Sequence, residues 1–137
     1  MHPYRRLLVW QKAHQFAIAV RTGLARHTAP DIAQQAFRSS ASVAANIVEG
    51  AGSQTSALFA RFLGIALASA QETEYLLLLA KDAGQLPGSV HADLHAQGTE
   101  IQKMLSALIA AVRRNAASAG SDARHARSPV RSPRRGV

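Results

Sequence analysis

Residues 56–84 read SALFARFLGIALASAQETEYLLLLAKDAG, and this stretch decides the fold. Phe59, Phe62, Leu63, Ala66, Ala70, Leu77 and Ala80 recur at helical spacing and form the stripe of one face. Leu58, Ile65, Leu67 and the run from Tyr75 to Leu79 carry apolar groups onto the other faces as well. A helix that is apolar on most sides must be covered on most sides. Helices of the same chain cover one side, so the outer side is expected to meet another subunit. Left in water, each large apolar side chain would forgo about 1.5–3 kcal/mol, and several together would form a sticky patch.

Upstream, Ile32, Ala36, Ser40, Val43 and Ile47 mark helix two, whose centre is the small run Ser39-Ser40-Ala41-Ser42 that lets another backbone approach closely. The stretch Gly50-Ala51-Gly52-Ser53 is expected to end it through a left-handed glycine, with Thr55 or Ser56 capping helix three. Residues 4–27 place Val9, Ala13, Phe16, Val20 and Leu24 on one face as helix one. Thr28-Ala29-Pro30-Asp31 then reads as a break and restart, Thr28 being a candidate cap. Downstream, Gly84 and Pro87-Gly88-Ser89 make the last turn, and helix four runs to about residue 116 through Val90, Leu94, Ile101, Leu105, Leu108 and Val112. No segment alternates apolar and polar residues, and the connections are short. The expected fold is therefore all-α, an antiparallel up-down-up-down four-helix bundle over residues 1–117. Residues 118–137, with Arg127-Ser128-Pro129 and Arg131-Ser132-Pro133, have little to bury and are expected to form a disordered basic tail.

A chain of 137 residues with 47% hydrophobic content fills one domain and leaves nothing for a second. The net charge of +8 favours polyanions such as nucleic acid. Half of that excess lies in the tail, where five arginines face Asp122, and the first thirty residues hold Arg5, Arg6, Lys12, Arg21 and Arg26 with no acidic residue. The absence of cysteine removes disulfides, thiolate catalysis and Cys-ligated zinc, and agrees with the expected cytoplasmic location. No apolar run approaches the roughly 18 residues of a membrane span, so neither an anchor nor a membrane partner is expected.

Val9-Trp10-Gln11, with Lys12-Ala13-His14 after it, resembles the opening of the four helix bundle protein family, also called rRNA intervening-sequence proteins. Residues 42–50 (Ser-Val-Ala-Ala-Asn-Ile-Val-Glu-Gly), 59–66 (Phe-Ala-Arg-Phe-Leu-Gly-Ile-Ala) and 69–74 (Ser-Ala-Gln-Glu-Thr-Glu) extend the likeness, and Glu100-Ile101 with Lys103-Met104-Leu105 add helix four. The Asn46-Ile47-Val48-Glu49-Gly50 block is the most specific part. The chain departs from the family pattern at Ala44, where proline is usual, at Phe37-Arg38, where a basic pair keeps one member, and at Leu58, where an acidic residue would complete a capping box. The resemblance implies a non-enzymatic bundle that forms rings, commonly pentamers. It also implies a link to RNA, since some members are encoded within ribosomal RNA insertions and similar bundles accompany reverse transcriptases in diversity-generating retroelements. Trp10, Asn46, Glu49, Gly50, Arg61, Glu72 and Glu74 match the family's motifs and carry structural roles by that implication.

Candidate sites divide into a phosphate-contacting set and groups that bear on chemistry. Arg5, Arg6, Lys12, Arg21 and Arg26 are candidates for a nucleic-acid stripe along helix one, with Arg38 added from helix two; the alternative is an ordinary solvated face. With no aromatic residues interleaved, binding by this set would rest on phosphates and fall steeply with salt. Asn46 and Glu49 are expected to satisfy groups at the end of helix two, Glu49 with Arg38 or Arg61 as partner. His91 and His95 share a helix face, but a closed zinc site needs further ligands, and no metal or other cofactor is expected. Glu72 and Glu74 diverge by about 200 degrees on a helix and cannot flank one substrate, so salt bridging is favoured over catalysis. No phosphate loop and no nucleophile-base set stands out, and an enzyme is not expected. The leading expectation is a homo-oligomeric bundle that binds RNA or DNA, with a reverse transcriptase as a further candidate partner; the alternative is a structural ring that binds another protein.

Overall fold

The computed structural model describes residues 3–126, with side chains placed as far as Gly120. A short 3-10 turn (Tyr4–Arg6) leads into α1 (Leu8–Leu24), followed by α2 (Pro30–Ala51), α3 (Ser56–Asp82) and α4 (Gly88–Ala126). The protein is an all-α four-helix bundle, as its periodicity requires.

Helix pairings are antiparallel wherever contacts fix them. Lys12 on α1 reaches Glu100 on α4, while Gly23 lies beside Val90 and Leu94. Ser39 of α2 meets Thr73 of α3, Ser42 meets Ser69, and Gly50 lies against Phe59 and Phe62. These pairings accord with the up-down-up-down order. The core they enclose is built from Phe16, Leu24, Ile47, Leu63, Leu77, Leu94, Ile101 and Leu105, all essentially buried. At about 1.5–3 kcal/mol for each large side chain, this burial supplies the main drive to fold.

The small run of α2 does what small residues permit, and its hydroxyls supply a polar seam within the core. The Ser39 and Thr73 hydroxyls are 2.7 Å apart, Thr73 also donates to the Ser69 carbonyl, and Ser39 to that of Ala36. No described side-chain polar atom is buried without a partner.

Several helix ends depart from their sequence-based expectations. Gly50 and Gly52 are not left-handed: α2 continues through Ala51, and Gly52 has φ −82°. Gly50 is instead required by close approach, because a Cβ there would lie 2.9 Å from the Phe59 ring. The left-handed glycine is Gly84, φ 74°, just beyond α3. Thr28 caps nothing; its hydroxyl donates to the Gln85 carbonyl, and the Gln85 side chain accepts from the Ala29 amide, so one loop closes the other. Thr55 does cap α3, accepting from the Leu58 amide at 3.2 Å. Helix one breaks at Leu7, whose extended backbone separates the opening turn from α1.

α4 runs past residue 116 to Ala126, through a segment in which alanine, the strongest helix former, stands at five of eleven positions. The remainder of the expected tail, residues 127–137, lies outside the described residues. By length and composition alone α3 is long and apolar enough to cross a membrane, with mean hydropathy 1.2, and 33% of that window is buried in the bundle.

Candidate functional site

Antiparallel packing sorts the charged residues by end. The start of α1, the end of α2, the start of α3 and the latter part of α4 come together at one end of the bundle, because Lys12 faces Glu100 and Glu74 faces Gln102. That end presents Arg5, Arg6, Arg61, Arg113 and Arg114, all exposed, together with the acidic Glu49. At the opposite end Arg21, Arg26 and Lys81 share the surface with Asp31 and Asp82. Positive potential is thus concentrated at the first end, which α4 also extends toward Ala126.

Local contacts hold part of this end in place. The Trp10 ring stacks on His14 and meets Tyr4 edge-on, each at 5.0 Å between centroids. Gln11 donates to the Arg5 carbonyl at 2.8 Å, tying the opening turn back onto α1. Arg5 itself leans over the Tyr4 ring. Its neighbour Arg6 is exposed.

The stripe expected along α1 is divided. Lys12 points toward α4 and pairs with Glu100 at 2.8 Å. Arg21 leaves the helix on its other flank, over the Phe37 ring at 5.0 Å, and Arg26 lies beyond the helix end. Arg38 is exposed on α2. The structure therefore places Arg5 and Arg6, on the turn leading into α1, at one end with Arg113 and Arg114 of the neighbouring α4, with Arg61 at the same end on the outer face of α3, and separates them from Lys12, Arg21, Arg26 and Arg38. Sequence reasoning missed Arg113 and Arg114 as members of this group. The available signal was topological: in an antiparallel bundle, the last turns of helix four stand beside the first turns of helix one.

Asn46 donates to the Ser42 carbonyl at 2.8 Å and to its hydroxyl at 3.0 Å, one turn back rather than at the helix end. Glu49 is exposed and does not pair with Arg38 or Arg61 within the chain. Glu72 is likewise exposed, whereas Glu74 is half-buried and bridges to α4, accepting from Gln102 and pairing with His95, both at 2.6 Å. His91 stacks on His95 at 5.7 Å. Partial burial lowers the His91 pKa from its ordinary 6.5, and Lys81 and His95 push the same way against Asp82 and Glu74. Among the described residues, no three His, Asp or Glu side chains converge as a metal site would require. A small cavity between α1 and α4 is lined by Lys12, Gln15, Gln97, Glu100 and Ile101, and its two charges already satisfy each other.

A family model described as 23S rRNA-intervening sequence protein matches residues 5–107. A solved structure from Bacteroides thetaiotaomicron VPI-5482, a protein of unknown function from the S23 ribosomal protein family, is similar at 31% identity with a TM-score of 0.70. That likeness covers 74% of this chain and 98% of the other. No match is found among curated proteins.

Proposed function

Because the chain belongs to the 23S rRNA-intervening sequence protein family, we propose that it is a non-enzymatic, self-associating bundle that binds RNA phosphates at its arginine-rich end. The observation that carries the reading is the gathering of exposed Arg5, Arg6, Arg113 and Arg114 at one end, on the turn leading into α1 and on the neighbouring α4. The family's association with ribosomal RNA insertions favours RNA as the polyanion to test. Self-association is supported by the exposed apolar residues on the outer side of α3, Leu58, Ile65, Tyr75, Leu78 and Leu79. The non-enzymatic reading is supported by the mutual pairing of Lys12 and Glu100 in the α1–α4 cavity and by the divergence of Glu72 from Glu74.

Guanidinium groups without stacked bases read charge and spacing rather than sequence. Binding is therefore governed by counterion release, and each single-stranded phosphate contact contributes about 0.7 to the slope of log affinity against log salt. Replacing Arg5, Arg6, Arg113 and Arg114 by alanine is expected to flatten that slope by about 2 to 3. The same change at Arg21 and Arg26 is expected to leave it nearly unaltered. A titration of labelled single-stranded RNA over a salt series measures both; equal losses from the two variants would refute the placement of the site.

A second reading, an adaptor that binds another protein such as a reverse transcriptase, is favoured by the division of the α1 stripe and by the apolar face of α3. It predicts that RNA is ignored at moderate salt while the apolar face is still covered.

A further inference from the structure

We infer that the outer face of α3 docks onto the outer face of α2 in a second copy of this chain, so that Glu72 meets Arg38 and Arg61 meets Glu49 across the contact. The inference deepens the self-association half of the proposed function and is independent of the RNA half, which rests on Arg5, Arg6, Arg113 and Arg114.

Two faces are unpartnered within one chain, and their contours are complementary. On α3, Leu58, Ile65, Tyr75 and Leu79 are 42%, 42%, 60% and 37% exposed, and Arg61 and Glu72 lie on the same stripe at three- and four-residue steps. On α2, the outward stripe is Arg38, Ala41, Ala45 and Glu49, small residues between two charges. Large side chains on one face thus oppose a shallow one on the other, the arrangement that lets two helices pack closely.

The charges set the register. Arg38 and Glu49 are separated by eleven positions, and so are Arg61 and Glu72. Both helices carry the cation first, so only antiparallel docking brings opposite charges together twice. Antiparallel is also the relation α2 and α3 have inside each subunit, where Ser39 faces Thr73 and Gly50 faces Phe59 and Phe62. Those contacts put Arg38 level with Glu72 and Glu49 level with Arg61. Ala45 stands near the level of Ile65, by the pairing of Ser42 with Ser69.

A copy rotated about an axis parallel to the bundle, with no shift along it, presents its α3 charges to α2 at the correct heights. The contact uses different faces of the two copies and so repeats head to tail, and without a shift along the axis it cannot grow as a helical filament. The ion pairs among the described residues are Lys12 with Glu100 and His95 with Glu74, so these four charges are left for a neighbour.

The test is a charge exchange read by light scattering without RNA, with helical circular dichroism confirming that each variant folds. The wild-type chain is expected at a multiple of 14.6 kDa. Arg38→Glu and Glu72→Arg should each weaken association by about tenfold or more through like-charge opposition. The double variant should regain the wild-type mass, because every copy supplies both faces. Glu49→Arg with Arg61→Glu forms an independent second pair with the same expected pattern. A monomeric wild type, single variants at wild-type mass, or folded double variants that stay dissociated would overturn the inference. A chain that assembles but ignores RNA would overturn only the RNA half of the proposed function, and a monomer that binds RNA would overturn only this inference.

Discussion

Gly50 belongs to the motif block by resemblance, and its side-chain hydrogen is what allows the start of α3 to lie against α2. A Cβ there would sit 2.9 Å from Phe59 and 3.1 Å from Phe62. Gly50→Ala should destabilise the fold by about 1–3 kcal/mol in urea unfolding, as overpacking does, despite alanine's better helix propensity. The sequence marked this glycine for a break because a Gly-Ala-Gly run has the composition of a helix end. Nothing in the run announces that a ring from another helix occupies the missing side chain's place. His91 gives a second test at this scale. Its lowered pKa means that the unfolded chain takes up protons more readily, so the folding penalty is absent above its ordinary 6.5 and grows as pH falls through that range. The melting temperature of the wild type should therefore drop further between about pH 8 and about pH 5 than that of His91→Gln. An equal drop in both would show that other groups set the pH dependence.

Among the elements, the apolar spacing of each helix was legible because burial enforces it. Val9, Ala13, Phe16, Val20 and Leu24 are all buried on α1, as their steps of three and four demanded. Helix ends were less legible, since they depend on partners distant in sequence. Thr28 has the composition of a cap but turns to Gln85, fifty-seven positions away. Thr55 is the local case, read correctly because its partner amide lies only three residues on. Thr55→Ala should cost about 1 kcal/mol of unfolding free energy, and Thr55→Ser much less. The basic stripe of α1 failed for a related reason: shared membership of a helix does not place Lys12 and Arg21 on one flank, and each found a neighbour on a different helix.

For the whole molecule, topology rather than any single motif creates the candidate site. Arg5 and Arg114 are separated by nearly the length of the bundle sequence, yet antiparallel order brings them to one end. The bundle and the need to cover α3 could be read from periodicity and composition. The grouping of arginines became visible only when the ends of four helices were aligned. The most direct test is arginine modification by phenylglyoxal, mapped by mass spectrometry with and without a saturating single-stranded RNA. RNA should protect Arg5, Arg6, Arg113 and Arg114, with Arg21 and Arg26 still reactive. Protection centred on Arg21 and Arg26, or no protection at any arginine in the presence of RNA, would contradict it.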